Sequence, residues 1–121
     1  MSRTILTIDD SRTMREMLNH TLSGAGYRVL QAADGVEGLE VLAANGADVV
    51  ITDINMPRLD GFGVIEGVRA DPRSRTTPVL VLTTESDAAK KDRARQAGAT
   101  GWIVKPFNPD KLLEAVRRVG A

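Results

Sequence analysis

The short run Val49–Thr52 is followed directly by Asp53, and this carboxylate is the first residue whose position suggests chemistry. The run is apolar or β-branched throughout, which is typical of a strand covered on both faces in a parallel sheet. Pro57 and the Asp60-Gly61 pair that follow indicate a turn and then a helix start. Asp53 is therefore predicted at the carboxyl end of a central strand, where open α/β sheets place their ligand sites.

Polar side chains also end three other predicted strands. Asp9 and Asp10 follow the first strand, Thr83 closes the fourth, and Lys105 follows the fifth. Because the carboxyl ends of parallel strands lie at one edge of a sheet, these groups and Asp53 should surround a single crevice.

Such a crevice suits phosphoryl transfer. Crowded carboxylates repel one another unless a cation intervenes, and hard oxygen ligands at an open site favour Mg²⁺. Lys105 as a point charge and Thr83 as a hydroxyl donor can stabilise phosphoryl oxygens. Asp53 is then the nucleophile, and the product is an acyl phosphate whose hydrolysis resets the site.

Each residue taken alone also has a structural interpretation. Asp53 can be a turn former, Asp9 and Asp10 a capping pair, Thr83 a strand residue and Lys105 a solvated cation. The proline after Lys105 indicates a constrained peptide bond, for which the cis isomer is one option. The agreement of four strand ends on one edge and one chemistry favours the functional interpretation.

The elements that must position these groups alternate along the chain. Strands are predicted at residues 4–8, 27–32, 48–53, 79–83 and 102–104. A helix follows each strand, the fourth at about residues 86–97 and the last from Asn108 or Pro109. Five strand–helix units in about 120 residues predict a doubly wound five-stranded parallel α/β sheet with helices on both faces. In the first helix, Met14 and Met17 are predicted to face the core and His20 the surface.

Composition narrows the function classes. The chain has 121 residues, a formal net charge of zero and no cysteine. A neutral total gives no global field for nucleic acid or an anionic membrane, and no apolar run reaches membrane-spanning length. We expect residues 1–121 to form one domain without an output domain, and the protein to be a cytoplasmic monomer.

These residues resemble the response-regulator receiver domains, specifically the stand-alone chemotaxis type called CheY-like. The resemblance spans the whole chain and implies a flavodoxin-like sheet in the order 2-1-3-4-5, of which CheY is itself a standard example. The matching motifs are Asp9-Asp10-Ser11, the D-x-x-M-P-x-x-D-G pattern from Asp53 to Gly61, Thr83-Thr84 and Lys105-Pro106-Phe107.

The resemblance implies a role for each strand-end residue. Asp53 resembles the phosphoacceptor, and Asp10 and Asp53 resemble carboxylate ligands of Mg²⁺. Asp9 would act on the metal mainly through water, and Asn55 through its backbone carbonyl. Lys105 resembles the lysine that contacts the phosphoryl group.

Four positions are implicated in switching or in the lifetime of the acyl phosphate. Thr83 resembles the switch hydroxyl, and Asn55 and Glu85 lie at variable positions that tune acyl-phosphate hydrolysis. Trp102, the only tryptophan, stands where the family usually has Tyr or Phe. For Trp102, packing at the sheet edge and a switching role are both open.

The implied partners are those of a two-component pathway. The phosphodonor would be a histidine kinase or a small molecule such as acetyl phosphate. The switched surface would be the fourth helix, fifth strand and fifth helix, and the target would be the flagellar motor switch. Such a protein is a signalling switch that catalyses only its own phosphorylation and dephosphorylation. The alternative within the family is a phosphate sink or a regulator of a pathway other than chemotaxis.

Two other classes share parts of this pattern. An aspartate-nucleophile phosphatase needs a second carboxylate two residues after the nucleophile, where this chain has Asn55, and a cap domain. A flavin- or nucleotide-binding module needs a phosphate cradle after the first strand. Asp9 and Asp10 would repel a phosphate there in the absence of metal, and there is no G-x-x-x-x-G-K-[ST] loop.

Overall fold

The structure, a computed structural model, describes residues 3–120 and contains five strands and five helices in strict alternation. The strands are β1 (Thr4–Ile8), β2 (Arg28–Ala32), β3 (Val49–Thr52), β4 (Val79–Thr83) and β5 (Gly101–Val104). The helices are α1 (Arg12–Gly24), α2 (Gly35–Asn45), α3 (Gly61–Ala70), α4 (Ala88–Ala97) and α5 (Pro109–Arg118).

All five strands pair in parallel in the order β2-β1-β3-β4-β5, which confirms the predicted doubly wound, flavodoxin-like sheet. The two strands with continuous apolar runs, β3 and β4, are buried at every residue. The edge strands β2 and β5 are partly exposed. The apolar runs exist because helices cover both faces of the central strands.

Two hydrophobic cores lie on opposite faces of the sheet. Alternate residues of one strand face different cores, so that Val50 packs against one set of helices and Ile51 against the other. The first core contains buried side chains of α2, α3 and α4, and the second contains those of α1 and α5. Each fully buried aliphatic side chain contributes about 1.5–3 kcal/mol to the free energy of folding. Burial on both faces is therefore the main interaction that stabilises the sheet and holds its edge in place.

Side-chain caps fix where the helices begin. The α4 helix starts at Ala88, two residues later than predicted, because Asp87 caps it by accepting the N–H groups of Ala89 and Lys90. The α5 helix starts at Pro109 behind the cap residue Asn108, as predicted.

The prediction that Met17 packs in the core is wrong. Its side chain is 47% exposed, whereas Leu18 and Leu22 occupy the core-facing side of α1. Met17 precedes Leu18 by one residue, which rotates it about 100° away from that side. Met14 is partly buried against the second core and His20 is exposed, both as predicted. Among residues 3–120, no helix is long and apolar enough to cross a bilayer.

Gly61 permits the start of α3 to approach the end of β3. A Cβ built at this position would lie 2.3 Å from the carbonyl oxygen of Asp53 and 2.8 Å from the Cα of Ile54. Both are backbone atoms, so the clash cannot be relieved by rotating a side chain. The missing side chain therefore sets the distance between α3 and the segment that carries Asp53.

We expect Gly61→Ala to lower the free energy of unfolding by about 1–3 kcal/mol, because the extra methyl group must displace backbone. Gly24→Ala is the control, since a Cβ there meets no atom within 4 Å. That control should be neutral or stabilising by up to about 0.5 kcal/mol. Urea denaturation of the three proteins measures both effects, and equal stability of Gly61→Ala and wild type would contradict the prediction.

Candidate functional site

One ammonium group joins the ends of three strands. Lys105 Nζ, just after β5, lies 2.9 Å from Asp9 Oδ2, which follows β1, and 2.9 Å from Asp53 Oδ2, which follows β3. The exposed fractions of these side chains are 11% for Lys105, 3% for Asp9 and 11% for Asp53. The fold thus brings together a buried triad from residues up to 96 positions apart in sequence.

Backbone groups hold the second oxygen of each buried carboxylate. The Ile54 N–H donates to Asp53 Oδ1 at 2.6 Å, and the Ser11 N–H donates to Asp9 Oδ1 at 2.9 Å. Arg15 donates to the Asp9 carbonyl oxygen at 2.7 Å and so ties α1 to the same segment. Each carboxylate therefore keeps one oxygen on Lys105 and one on the backbone, which fixes its orientation.

The electrostatic balance of the triad appears in two pKa shifts. Burial raises the pKa of the Asp9 carboxyl, although the hydrogen bond from Lys105 opposes that rise. Burial lowers the pKa of Lys105, but hydrogen bonds to Asp9 and Asp53 outweigh it, and the net shift is upward. Lys105 therefore stays protonated, and its charge is divided between two carboxylates.

Asp10 supplies the third carboxylate, and it is exposed where Asp9 is buried. Asp9, Asp10 and Asp53 each offer an oxygen within 4.8 Å of the others, close enough for the three to share one ion. Lys105 neutralises one of the three negative charges, and no other cation from residues 3–120 pairs with these carboxylates. Three hard oxygens with a residual charge of about −2 fit a divalent cation such as Mg²⁺.

Thr83 and Trp102 are linked through the backbone of Glu85. The Glu85 N–H donates to Thr83 Oγ1 at 3.3 Å, and the Trp102 indole N–H donates to the Glu85 carbonyl oxygen at 3.2 Å. Thr83 is fully buried, and Trp102 is partly buried against the first core. The loop between β4 and α4 is thus anchored through both backbone groups of Glu85, its N–H and its carbonyl oxygen.

The Glu85 side chain joins this loop to the loop after β3. Its Oε1 accepts a hydrogen bond from Asn55 Nδ2 at 3.4 Å and forms an ion pair with Lys90 Nζ at 3.1 Å. Asn55 is two residues beyond Asp53, and Glu85 is two residues beyond Thr83. Both predicted tuning residues therefore lie beside the crevice and contact each other.

Three contacts in the segments that follow the strands were not expected from the sequence. They are Arg15 on the Asp9 carbonyl, Lys90 on Glu85, and Arg58, whose guanidinium donates to both oxygens of Asp34 at 3.0 and 3.1 Å. Arg58 has a left-handed backbone with φ of 67°, and the Lys105–Pro106 peptide bond is cis. The turn residues around Pro57 were the only sequence signal for an unusual backbone at Arg58.

Comparison with known proteins agrees with this geometry. Residues 5–117 match the family described as response regulator receiver domain. The chemotaxis protein CheY1 of Helicobacter pylori is 44% identical over 117 residues, covering 95% of this chain and 94% of that protein. The chemotaxis protein CheY4 of Vibrio cholerae is 45% identical, with a TM-score of 0.94 over 98% of this chain and 99% of that one.

A more distant likeness bears on the acidic cluster. The receiver domain of the sensor histidine kinase PA1611 of Pseudomonas aeruginosa is 26% identical with a TM-score of 0.91 over the full length of both chains, and its structure holds a magnesium ion coordinated in the active site cleft. The family match extends from the first strand to the last helix. The chain therefore belongs to the response regulator receiver domain family, and it is CheY-like.

Proposed function

We propose that this protein is a phospho-accepting response regulator in which Asp53 receives a phosphoryl group. The observation that carries the proposal is that Asp53 lies 2.9 Å from the Lys105 ammonium and shares a cluster of carboxylate oxygens, all within 4.8 Å of one another, with Asp9 and Asp10. An ammonium is the group needed to hold phosphoryl oxygens during transfer. The protein then acts as a signalling switch and not as an enzyme with an external substrate.

The proposed transfer is a displacement at phosphorus. An Asp53 carboxylate oxygen forms the new O–P bond, while the bond from phosphorus to the donor's imidazole nitrogen or acetate oxygen breaks. The leaving group keeps the bonding electron pair. Lys105 is already 2.9 Å from Asp53 Oδ2. Its N–H groups can therefore donate hydrogen bonds to the phosphoryl oxygens, where negative charge develops. Water later attacks the phosphorus of the aspartyl phosphate, the bond from phosphorus to the Asp53 oxygen breaks, and inorganic phosphate leaves while the carboxylate is restored.

Mg²⁺ is the cofactor that we propose for this site. Asp9, Asp10 and Asp53 would hold it, with the Asn55 backbone carbonyl as the further ligand that the resemblance implies. When bound, it supplies positive charge for the phosphoryl oxygens. The carboxylates themselves remain close together at a cost in stability, which a divalent ion would offset.

We expect saturating Mg²⁺ to stabilise the protein by about 2–3 kcal/mol, the value for ligand at about 100 times its Kd. Mg²⁺ should stabilise Asp10→Asn by less than half of that amount. In the absence of metal, Asp10→Asn should be at least as stable as wild type, because one repelling charge is removed. Glu40→Gln is the control, since it removes one exposed carboxylate on α2. Thermal unfolding with and without Mg²⁺ measures this, and an equal gain for Asp10→Asn and wild type would exclude Asp10 as a ligand.

We expect Asp53→Asn to abolish phosphorylation, because the amide is a far weaker nucleophile than the carboxylate. Asp60→Asn is the matched control, since the Asp60 side chain caps α3 and Asn caps equally well. Label transferred from acetyl phosphate or from a phosphohistidine donor measures the reaction. Stable label on Asp53→Asn at the wild-type level would refute the assignment.

Thr83 and Glu85 provide the proposed route from Asp53 to the partner surface. If the Thr83 hydroxyl turns to donate to a phosphoryl oxygen on Asp53, its bond from the Glu85 N–H is lost. The loop before α4 is then free to move. As it moves, the Glu85 carbonyl oxygen shifts relative to the Trp102 indole N–H, which donates a hydrogen bond to it. The change reaches α4 and β5, which with α5 form the proposed partner surface.

We propose a histidine kinase as the phosphodonor and a chemotaxis target as the partner, with the flagellar motor switch as the specific case. The support is that CheY1 and CheY4 are both chemotaxis proteins, and that the match covers nearly all of each. A cytoplasmic location is part of the same proposal. A phosphotransfer profile against purified histidine kinases tests the donor, and capture of targets on the phosphorylated form tests the partner. Capture of other proteins without flagellar ones would favour a regulator of another pathway, and capture of no protein would favour a phosphate sink.

We expect Mg²⁺ with a phosphate mimic to change the fluorescence of Trp102, the only tryptophan. The indole N–H bond to Glu85 depends on the loop that Thr83 holds, so Thr83→Ala should abolish most of the change. An unchanged wild-type spectrum at saturating mimic would mean that Trp102 only packs.

A further inference from the structure

We propose that Lys90 is a positioning residue that neutralises Glu85 at the entrance to the Asp53 crevice and so allows anionic phosphodonors to enter. The inference rests on the proposed function, because it concerns the approach of the phosphodonor to Asp53. It concerns a residue that has no place in the phosphoryl-transfer chemistry itself.

The position of Glu85 follows from the sheet. β3 and β4 are adjacent, and Asn55 and Glu85 lie in the loops directly beyond their carboxyl ends. The hydrogen bond from Asn55 Nδ2 to Glu85 Oε1 therefore spans these two loops next to the gap between Asp53 and Thr83. Because Asn55 and Glu85 lie two residues beyond Asp53 and Thr83, we infer that a donor approaches the nearly buried Asp53 carboxylate past this bridge.

The charge of Glu85 is unfavourable at such a place. The crevice already holds three carboxylates and one ammonium, and a phosphodonor is itself an anion. A further carboxylate at the entrance repels the donor, and the effect is strongest at low ionic strength. Glu85 would therefore slow phosphorylation if its charge were not compensated.

Lys90 supplies the compensation from the first turn of α4. Its Nζ lies 3.1 Å from Glu85 Oε1, the same oxygen that Asn55 contacts. The start of α4 is fixed by Asp87, which accepts the Lys90 N–H, so the lysine is placed by the helix cap. Lys91, the next residue, is exposed and forms no ion pair within residues 3–120, so it is a matched control of equal charge.

The experiment measures the initial rate of labelling from acetyl phosphate with Mg²⁺ at low and at high ionic strength. At low ionic strength Lys90→Gln should react about three-fold more slowly than wild type, and Glu85→Gln should react faster. The initial rate of the double variant, Lys90→Gln with Glu85→Gln, should be close to that of wild type, because the uncompensated carboxylate charge is gone. Lys90→Arg and Lys91→Gln should both resemble wild type.

The ionic-strength arm separates charge from structure. The slower rate of Lys90→Gln should largely disappear at high ionic strength, whereas a merely structural defect would persist. A rate for Lys90→Gln equal to that of Lys91→Gln, or a defect that persists in the Glu85→Gln background, would overturn the inference while leaving the proposed function intact. If wild type takes up no label at all, the proposed function and this inference both fail.

Discussion

The site depends on one ammonium group shared between two nearly buried carboxylates. Lys105 contacts Asp9 and Asp53 at equal distances of 2.9 Å, and each acid turns its other oxygen to a backbone N–H. A buried charge needs both a partner and further hydrogen bonds, and both are present here. Without Lys105, the two acids would be forced together with no compensating charge.

This arrangement constrains the fold around it. Asp9, Asp53 and Lys105 follow β1, β3 and β5, so the three strands must end at the same level on one edge. Two cores on opposite faces of the sheet supply the apolar burial that maintains this level, and Gly61 lets α3 approach the backbone of Asp53. The apolar interior thus provides the stability that the repelling carboxylates reduce.

The loops on the β4 side are held mainly by polar contacts. The α4 helix has only Ala94 buried, and its other anchors are Lys90 on Glu85, Arg93 over the ring of Phe62 at 3.9 Å, and Arg69 on the Gly98 carbonyl at 2.8 and 3.2 Å. Elements with few apolar contacts open at lower free energy than core strands. The least apolar helix is therefore the one next to Thr83, where the proposed switch needs movement.

Much of this could be predicted from the sequence because the relevant signals are local. Apolar runs identify strands, caps such as Asp60 and Asn108 identify helix starts, and parallel topology brings strand ends to one edge. These rules predict Asp9, Asp10, Asp53, Thr83 and Lys105 at one edge of the sheet, and the structure brings the three acids and Lys105 into one cluster. They failed for Met17, where one residue of helical phase separates the core from solvent.

The tertiary structure alone decided which groups touch. Adjacent Asp9 and Asp10 differ in burial, and Lys105 contacts the first of them, because the side chains of consecutive residues point in different directions. The left-handed backbone of Arg58 and the contact of Glu85 with both Asn55 and Lys90 have no periodic signal in the chain. Such contacts depend on distances between separate loops, and only the packed sheet sets those distances.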